Sequence, residues 1–329
     1  MKVLITDYDF PDIELEKQLF RAAGVEVAEA QCRTEDDVIA AAQGCFGLLA
    51  QYAPMNARVF AALPEVRVVS RLGAGFDTVN VADAKRHGVW VANSPDYGVG
   101  EVATHALGMA ISLVRHLPLY DRDVRANNWH YTSAGTLRRV ANLTLGIVGL
   151  GRIGKRMAHL SERVFGRILA CDPYIPDTDF PADVKRCDLE TAFREADVVS
   201  LHVPLNDETR NLAHAGRFAL MKRGSFLVNT ARGAVANVDD LLAALDAGLL
   251  EGAALDVLPQ EPPPPGHALL GHPRVLLTPH AAFYSIEAEK ELRRKAAQNL
   301  IDWAQTGKPT YVVSAGSASP AASARAPRG

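Results

Sequence analysis

No stretch of this 329-residue chain holds the roughly 18 uninterrupted apolar residues that a membrane-spanning helix requires. The amino-terminal segment Met1–Asp7 has neither a long apolar core nor a small-residue cleavage site, so it does not read as a secretory signal. Cysteine is scarce: Cys32, Cys45, Cys171 and Cys187 form no CxxC pair and no zinc-like spacing. Cys171 and Cys187 are candidates for pairing, but four reduced thiols are the simpler reading. The histidines show no ligand spacing either, and no metal is expected. An excess of one charge is also lacking, since 35 Lys+Arg against 38 Asp+Glu leaves a net charge of −3. That balance gives no drive toward nucleic acid or an anionic membrane. What remains is a cytoplasmic globular protein, 48% hydrophobic and 22% charged, long enough for two domains with sizeable cores.

Short apolar runs alternate with helical patterns from end to end. In the first hundred residues the runs are Val3–Ile5, Val25–Val27, Leu48–Ala50, Val66–Val69 and Val89–Val91, with helical stretches such as Asp12–Ala22 and Thr34–Ala42 between them. Such alternation argues for a parallel sheet covered by helices on both faces. Val99, Val102, Ala103, Ala106, Leu107, Ala110, Val114 and Leu117 recur at three- and four-residue steps and predict one long amphipathic helix. The polar stretch from Asp121 to Ala141 follows, without clear period, and reads as a connector or exposed arm. A second strand series then runs Leu145–Val148, Ile168–Ala170, Val198–Val203, Phe226–Asn229, Ala253–Asp256 and Val275–Leu277. Six strands at this spacing fit a dinucleotide-binding sheet. A last helical pattern from Glu287 to Trp303 lies beyond that series, so the chain is expected to return and complete its first domain. No internal repeat exceeds the βα alternation. The expected class is α/β, two doubly wound parallel-sheet domains, a Rossmann domain inserted in a flavodoxin-like one. Residues 1–98 with 284–313 form the substrate and catalytic domain, and residues 99–283 the cofactor domain. The Ser/Ala/Pro-rich segment 314–329 is expected to be a disordered tail.

Gly149, Gly151 and Gly154 form a GxGxxG that follows the apolar strand at Leu145 and opens a helix containing Met157, Ala158, Leu160 and Val164. Glycine-rich turns are common, and it is the strand before and the helix after that give this one physical meaning. Gly149 permits the tight turn, Gly151 lets backbone approach a pyrophosphate, and Gly154 allows close packing of helix on strand. The free N–H groups and positive dipole end of the helix then receive the phosphates. Eighteen residues past Gly154 stands Asp172, placed to accept hydrogen bonds from ribose hydroxyls and to repel a 2′-phosphate. No arginine or lysine follows closely in sequence, so NAD is expected rather than NADP.

Three polar groups follow strand ends in the second series, where doubly wound sheets bind ligands. Arg232 follows Phe226–Asn229, and an arginine there can grip a carboxylate through two parallel hydrogen bonds. Glu261 follows Asp256 in a loop stiffened by Pro262–Pro265. His280 follows Val275–Leu277, and a histidine suits hydroxyl–carbonyl interconversion because its proton comes and goes near neutral pH. A carboxylate beside it fixes the tautomer and stabilises the imidazolium. Singly, these three read as a surface salt bridge, a solvated loop acid and a packed histidine. At successive strand ends behind a dinucleotide signature, they read together as a site.

The residues at 71–77 (Arg71, Leu72, Gly73, Ala74, Gly75, Phe76, Asp77), 149–154, 229–233, 252–257 with Glu261 and Pro262, and 278–285 resemble the D-isomer-specific 2-hydroxyacid dehydrogenase family, over about residues 3–312. The segments 226–233 and 280–285 are most similar to its C-terminal-binding-protein branch, which also contains bacterial dehydrogenases. The resemblance implies that Arg232 orients the substrate carboxylate and carbonyl, that His280 is the proton donor and contacts the cofactor, and that Glu261 pairs with it. It implies that Ala74 and Gly75 offer N–H groups to the substrate carboxylate, Ala74 also lying near the cofactor. Tyr52 and Phe283 would join them in the substrate pocket. Asp256 would bind the nicotinamide amide, and Val102, Arg152, Ile153, Val203, Thr209, Thr230 and Ala231 would line the cofactor. Family architecture places the region Asp121–Ala141 at a homodimer interface. Phe283 departs from the tryptophan of the corepressor members, which leaves substrate choice open. No long regulatory extension is present, so serine control is not expected.

The expected function is therefore NAD-dependent hydride transfer between the cofactor and a small 2-hydroxy or 2-keto acid, including phosphoglycerate- or phosphonopyruvate-like acids; the D stereochemistry rests on resemblance. The alternative is an NAD(H)-responsive corepressor-like binding protein, against which stand the complete Arg–Glu–His set and the lack of an added interaction module. His130 and Arg138 are weighed as anion ligands, with a plain surface role preferred.

Overall fold

The computed structural model describes residues 1–317, and the chain divides into two compact units. One holds Met1–Tyr97 and the chain from Ser285 onward; the other holds Gly98–Tyr284.

The first stretch runs β1 (Lys2–Ile5), α1 (Glu14–Ala22), β2 (Glu26–Glu29), α2 (Glu35–Ala41), β3 (Gly47–Ala50), α3 (Ala57–Ala62), β4 (Val68–Arg71), α4 (Val81–Arg86) and β5 (Trp90–Ala92). The central strand β3 is apolar throughout because helices cover both faces, and every residue of it is buried. Asn56 and Asn80 cap α3 and α4 through their side chains, and Thr34 forms a capping box with Asp37 on α2.

The second unit contains α5 (Val99–Val114), α6 (Leu117–Arg125), β6 (Thr144–Val148), α7 (Arg152–Ser161), β7 (Arg167–Cys171), β8 (Lys185–Arg186), α8 (Leu189–Glu195), β9 (Val198–Leu201), α9 (Ala215–Phe218), β10 (Ser225–Asn229), α10 (Val238–Asp246), β11 (Leu250–Leu255) and β12 (Val275–Leu277). Its seven strands are all parallel, in the order β12-β11-β10-β9-β6-β7-β8. One face packs on α5 and α7 through Ala103, Ala106, Met109, Leu145, Ile147 and Met157, and the other on α8 and α10 through Phe193, Val199, Leu227 and Leu241. The order reverses beside β6, so the crevice beyond the carboxyl ends of β6 and β9 is the expected ligand position of such a sheet.

The chain then returns with α11 (Ile286–Thr306) and β13 (Val312–Ser314), completing a sheet of order β13-β5-β4-β3-β1-β2. A buried bidentate ion pair ties α11 to α1: Arg293 Nε and Nη2 stand 2.7 and 2.8 Å from the two oxygens of Glu16. Breaking such a pair is costly because it leaves one charge buried alone.

Three expectations need correcting. The helix predicted to reach Leu117 ends at Val114, where His116 turns into the left-handed region at φ 52° and a new helix starts. The segment expected as an aperiodic connector therefore opens with the rest of α6, whose residues are all at least partly exposed. Within the segment expected as a tail from residue 314, Ser314 belongs to β13, which runs antiparallel to β5, and the Ser317 carbonyl accepts from Trp90 Nε1. Residues 318–329 lie outside the described residues.

Candidate active site

The cofactor cradle starts at the turn after β6. Gly149 adopts φ +91°, and a Cβ there would stand 2.7 Å from the His202 carbonyl oxygen and 2.9 Å from Val203 Cγ1. Glycine alone meets both demands. A Cβ on Gly154 would fall 2.1 Å from the Gly149 carbonyl oxygen, so α7 leaves the strand at backbone contact. Around Gly151, by contrast, a Cβ would meet nothing within 4 Å. Arg152 and Ile153 supply the first free N–H groups of α7 at this open side. Asp172, past β7, accepts the Leu150 N–H (2.8 Å) and the Tyr174 N–H (2.9 Å), locking the turn to the next strand. His202 is partly buried beneath the turn and its pKa is pushed down to about 4 by burial, so it is neutral there. Thr209 shapes the loop after β9 by donating to the Pro204 carbonyl (2.6 Å). Thr230 Oγ1 is buried and finds no hydrogen-bond partner among the described residues. A phosphate cradle, a ribose-level carboxylate and an orphaned hydroxyl together fit a dinucleotide. Half-buried Val102 lies on α5.

No arginine follows Asp172 closely in sequence, but one stands near it in space. Arg186, on the short β8 alongside β7, reaches the Asp172 carbonyl (3.4 Å), pairs with Asp177 and lies over the Phe180 ring at 4.8 Å. Its charge is thus engaged by Asp177, and the Asp172 carboxylate still faces the turn.

Arg232, Asp256 and His280 follow β10, β11 and β12, three neighbouring strands, at one edge of the sheet. Asn229 shapes the Arg232 loop by accepting the Ala231 N–H (3.0 Å) and donating to the Arg232 carbonyl (2.9 Å). A Cβ on Gly233 would fall 1.9 Å from the Leu258 carbonyl carbon, so this loop rests directly on the one leading to Glu261. Glu261 Oε1 accepts the Leu258 N–H (2.8 Å) and Oε2 lies 2.6 Å from His280 Nδ1. Burial pushes this carboxyl upward, but the hydrogen bonds from His280 and Leu258 and the Arg232 charge outweigh it and hold it below the ordinary range. Glu261 is thus an ionised acceptor that orients Nδ1 and leaves Nε2 as the working nitrogen. His280 holds φ +54°, unusual for a residue with a Cβ, and Phe283 meets its ring edge-on at 6.4 Å. Asp256 is 2% exposed, and its carboxylate accepts from Thr278, Ala281 and Ala282.

In the other unit, Tyr52 and the loop of Ala74 and Gly75 follow the adjacent strands β3 and β4. Tyr52 donates to Asp9 Oδ2 (2.9 Å), and the Ala74 carbonyl accepts from Asn93 (2.7 Å).

Residues 107–282 match the model of the D-isomer specific 2-hydroxyacid dehydrogenase NAD-binding domain. The glycerate dehydrogenase of Methylorubrum extorquens is 34% identical over 289 residues, covering 86% of this chain and 90% of that protein. The chain belongs to the D-isomer specific 2-hydroxyacid dehydrogenases. Another relative, the glyoxylate reductase of Thermofilum pendens, is 35% identical over 260 residues, covering 75% of this chain and 74% of that protein. The NAD-complexed 2-hydroxyacid dehydrogenase of Lactobacillus delbrueckii ssp. bulgaricus superposes with a TM-score of 0.77 at 25% identity, covering 95% of this chain and all of that one. This 2-hydroxyacid dehydrogenase is accordingly an NAD-dependent oxidoreductase, and the relatives' enzyme names do not favour the corepressor-like alternative.

The arm candidates of this dehydrogenase sit elsewhere. Arg138 pairs with buried Asp197 (2.6 Å) and exposed His130 with Thr132 (2.7 Å), so neither joins the cradle or the Arg–Glu–His group. Sequence reasoning missed His105, whose Nε2 lies 3.0 Å from Thr278 Oγ1. A half-buried histidine between the apolar positions Ala103 and Ala106 of α5 was the only available signal.

Proposed function

We propose that the protein reduces a small 2-keto acid such as glyoxylate or hydroxypyruvate with NADH, and catalyses the reverse oxidation, using Arg232, Glu261 and His280. The observation that carries this reading is the 2.6 Å contact between Glu261 and His280 beside Arg232, past the carboxyl ends of strands in the same parallel sheet that carries the dinucleotide cradle after β6. Bound NAD(H) supplies or takes up the hydride. Glu261 holds His280 so that Nε2 gives a proton to the keto oxygen in reduction and removes it in oxidation. The Arg232 guanidinium offers paired donors to the substrate carboxylate and polarises the adjacent carbonyl. Gly149, Gly151, Arg152, Ile153 and Gly154 hold the pyrophosphate, Asp172 the ribose and Asp256 the nicotinamide amide. Val102, Val203, Thr209, Thr230 and Ala231 line the cofactor. Tyr52, Ala74, Gly75 and Phe283 complete substrate binding. The names of the relatives support the choice of acid.

The reading includes a cytoplasmic homodimer joined through residues 121–141. Trp129 and Tyr131 in that segment are 86% and 82% exposed, surface that association would cover. No helix among the described residues is long and apolar enough to cross a membrane.

The test is NADH oxidation with glyoxylate, hydroxypyruvate, phosphohydroxypyruvate, phosphonopyruvate and phenylpyruvate, with NADPH in parallel. NADH-specific turnover of the small acids supports the reading. Preference for a phosphorylated or aromatic acid would overturn the substrate choice, and silence across the panel would overturn the proposed chemistry.

A further inference from the structure

Behind the strand edge, α5 reaches the turn that carries His280 through a short polar chain, and this chain has a direction. Asp256 is a carboxylate whose Oδ1 accepts the Ala281 N–H (2.8 Å) and whose Oδ2 accepts the Ala282 N–H (3.0 Å). Its carbonyl accepts the His280 N–H (2.8 Å). Three consecutive amides are therefore clipped to one residue. Thr278 Oγ1 lies 2.5 Å from Asp256 Oδ1, and since a carboxylate only accepts, the hydroxyl spends its single proton there. His105 Nε2, 3.0 Å from Thr278 Oγ1, must then be the donor. His105 Nε2–H donates to Thr278 Oγ1 and Thr278 Oγ1–H to Asp256, which also accepts from the amides of residues 280–282.

The geometry of His280 gives this chain something to do. A non-glycine residue at φ +54° persists only where its surroundings over-determine it. Glu261 fixes the ring, but the backbone is fixed from behind by Asp256. Asp256 itself is 2% exposed, with Thr278 on its Oδ1. His105 stands on a helix whose Ala103, Ala106 and Ala110 are fully buried against the sheet, so its position is set by the core.

We infer that His105 is a positioning residue for the reaction, acting through Thr278 and Asp256 to hold the left-handed His280 turn in its working geometry. This rests on the acid–base reading of His280 above. A misplacement of about 1 Å at a reacting group can cost up to a hundredfold in rate.

Two readouts test it. His105→Leu should lower kcat about tenfold. In hydrogen exchange, the amides of Ala281 and Ala282 should lose protection in the same variant. His105→Gln, whose amide nitrogen can donate from nearly the same place, should restore kcat to within about threefold and restore protection. Thr278→Val should reproduce the loss and Thr278→Ser should not, which keeps the test intact if His105→Leu fails to fold. Combining His105→Leu with Thr278→Val should add little to the larger single effect. The inference is overturned if Thr278→Val or His105→Leu leaves both kcat and amide protection unchanged, or if His105→Gln is as damaged as His105→Leu. Amide protection is read without turnover, so an inactive wild-type protein would sink the acid–base reading while the exchange data still decide the clip.

Discussion

Gly151 and Gly154, three residues apart, make opposite predictions. Replacing Gly154 with alanine places a Cβ 2.1 Å from the Gly149 carbonyl oxygen, against a normal contact of about 3.2–3.4 Å, so α7 must move by about 1 Å. The obstacle is backbone in a packed turn and cannot rotate away. Overpacking of this kind costs about 1–3 kcal/mol, and about 2 kcal/mol lowers Tm by about 4–8 °C for a unit of this size. Gly151→Ala differs: its φ is −67° and the new methyl meets nothing within 4 Å. The smaller conformational entropy of the unfolded chain stabilises the fold by about 0.4–1 kcal/mol and offsets the poorer helix cap that alanine makes, so Tm should hold within about 2 °C. The methyl does occupy the open side where a pyrophosphate would approach the N–H groups of α7. NADH should therefore bind at least about tenfold more weakly, about 1.4 kcal/mol, to a protein of unaltered stability. Thermal melts and NADH fluorescence titration of both variants decide the matter. Wild-type NADH affinity in Gly151→Ala refutes the placement of the pyrophosphate, and an unchanged Tm in Gly154→Ala refutes the backbone contact.

Other perturbations separate the remaining parts. Glu261→Gln keeps the shape of the side chain but loses the charge facing His280, and kcat should fall about ten- to a hundredfold with a smaller change in KM, measured by steady-state kinetics. Arg232→Lys retains charge but not the paired donors, so kcat/KM for 2-keto acids should fall about a hundredfold, with NADH affinity in a titration little changed. His202 is kept neutral by burial, with its pKa lowered from 6.5 to about 4. The unfolded chain therefore binds the extra proton first as the pH drops. Stability is full above about pH 6.5 and is lost on the way down to about pH 4, by roughly 2 kcal/mol between pH 7 and pH 5. Urea unfolding of the wild type and of His202→Gln should show that this part of the acid slope disappears in the variant.

Most of the architecture was legible because buried parallel strands are continuous apolar runs: β6, β9 and β10 are fully buried and each matched a run in the sequence. Elements without such runs were not. Strand β8 is only Lys185 and Arg186, exposed and held by backbone pairing to β7, so nothing in its residue types announces it. That is also why Arg186 was not expected beside Asp172. The break at His116 was invisible because the apolar spacing continues through it, whereas the backbone turns left-handed. In the site, the strand ends marked Arg232, Asp256 and His280 individually. The contact of Glu261 with His280 spans 19 residues and depends on how two loops fold back, which spacing does not encode. His105 was not singled out in the sequence; only its three-dimensional neighbour Thr278 distinguishes it.

The central claim is that His280, held by Glu261, moves the proton while the dinucleotide cradle binds independently. It is tested most directly by a single-turnover experiment on His280→Ala with NADH and glyoxylate or hydroxypyruvate, with NADH affinity measured on the same sample. The account predicts wild-type NADH binding with the rate of NADH oxidation reduced by a hundredfold or more. An oxidation rate near that of the wild-type protein would contradict it.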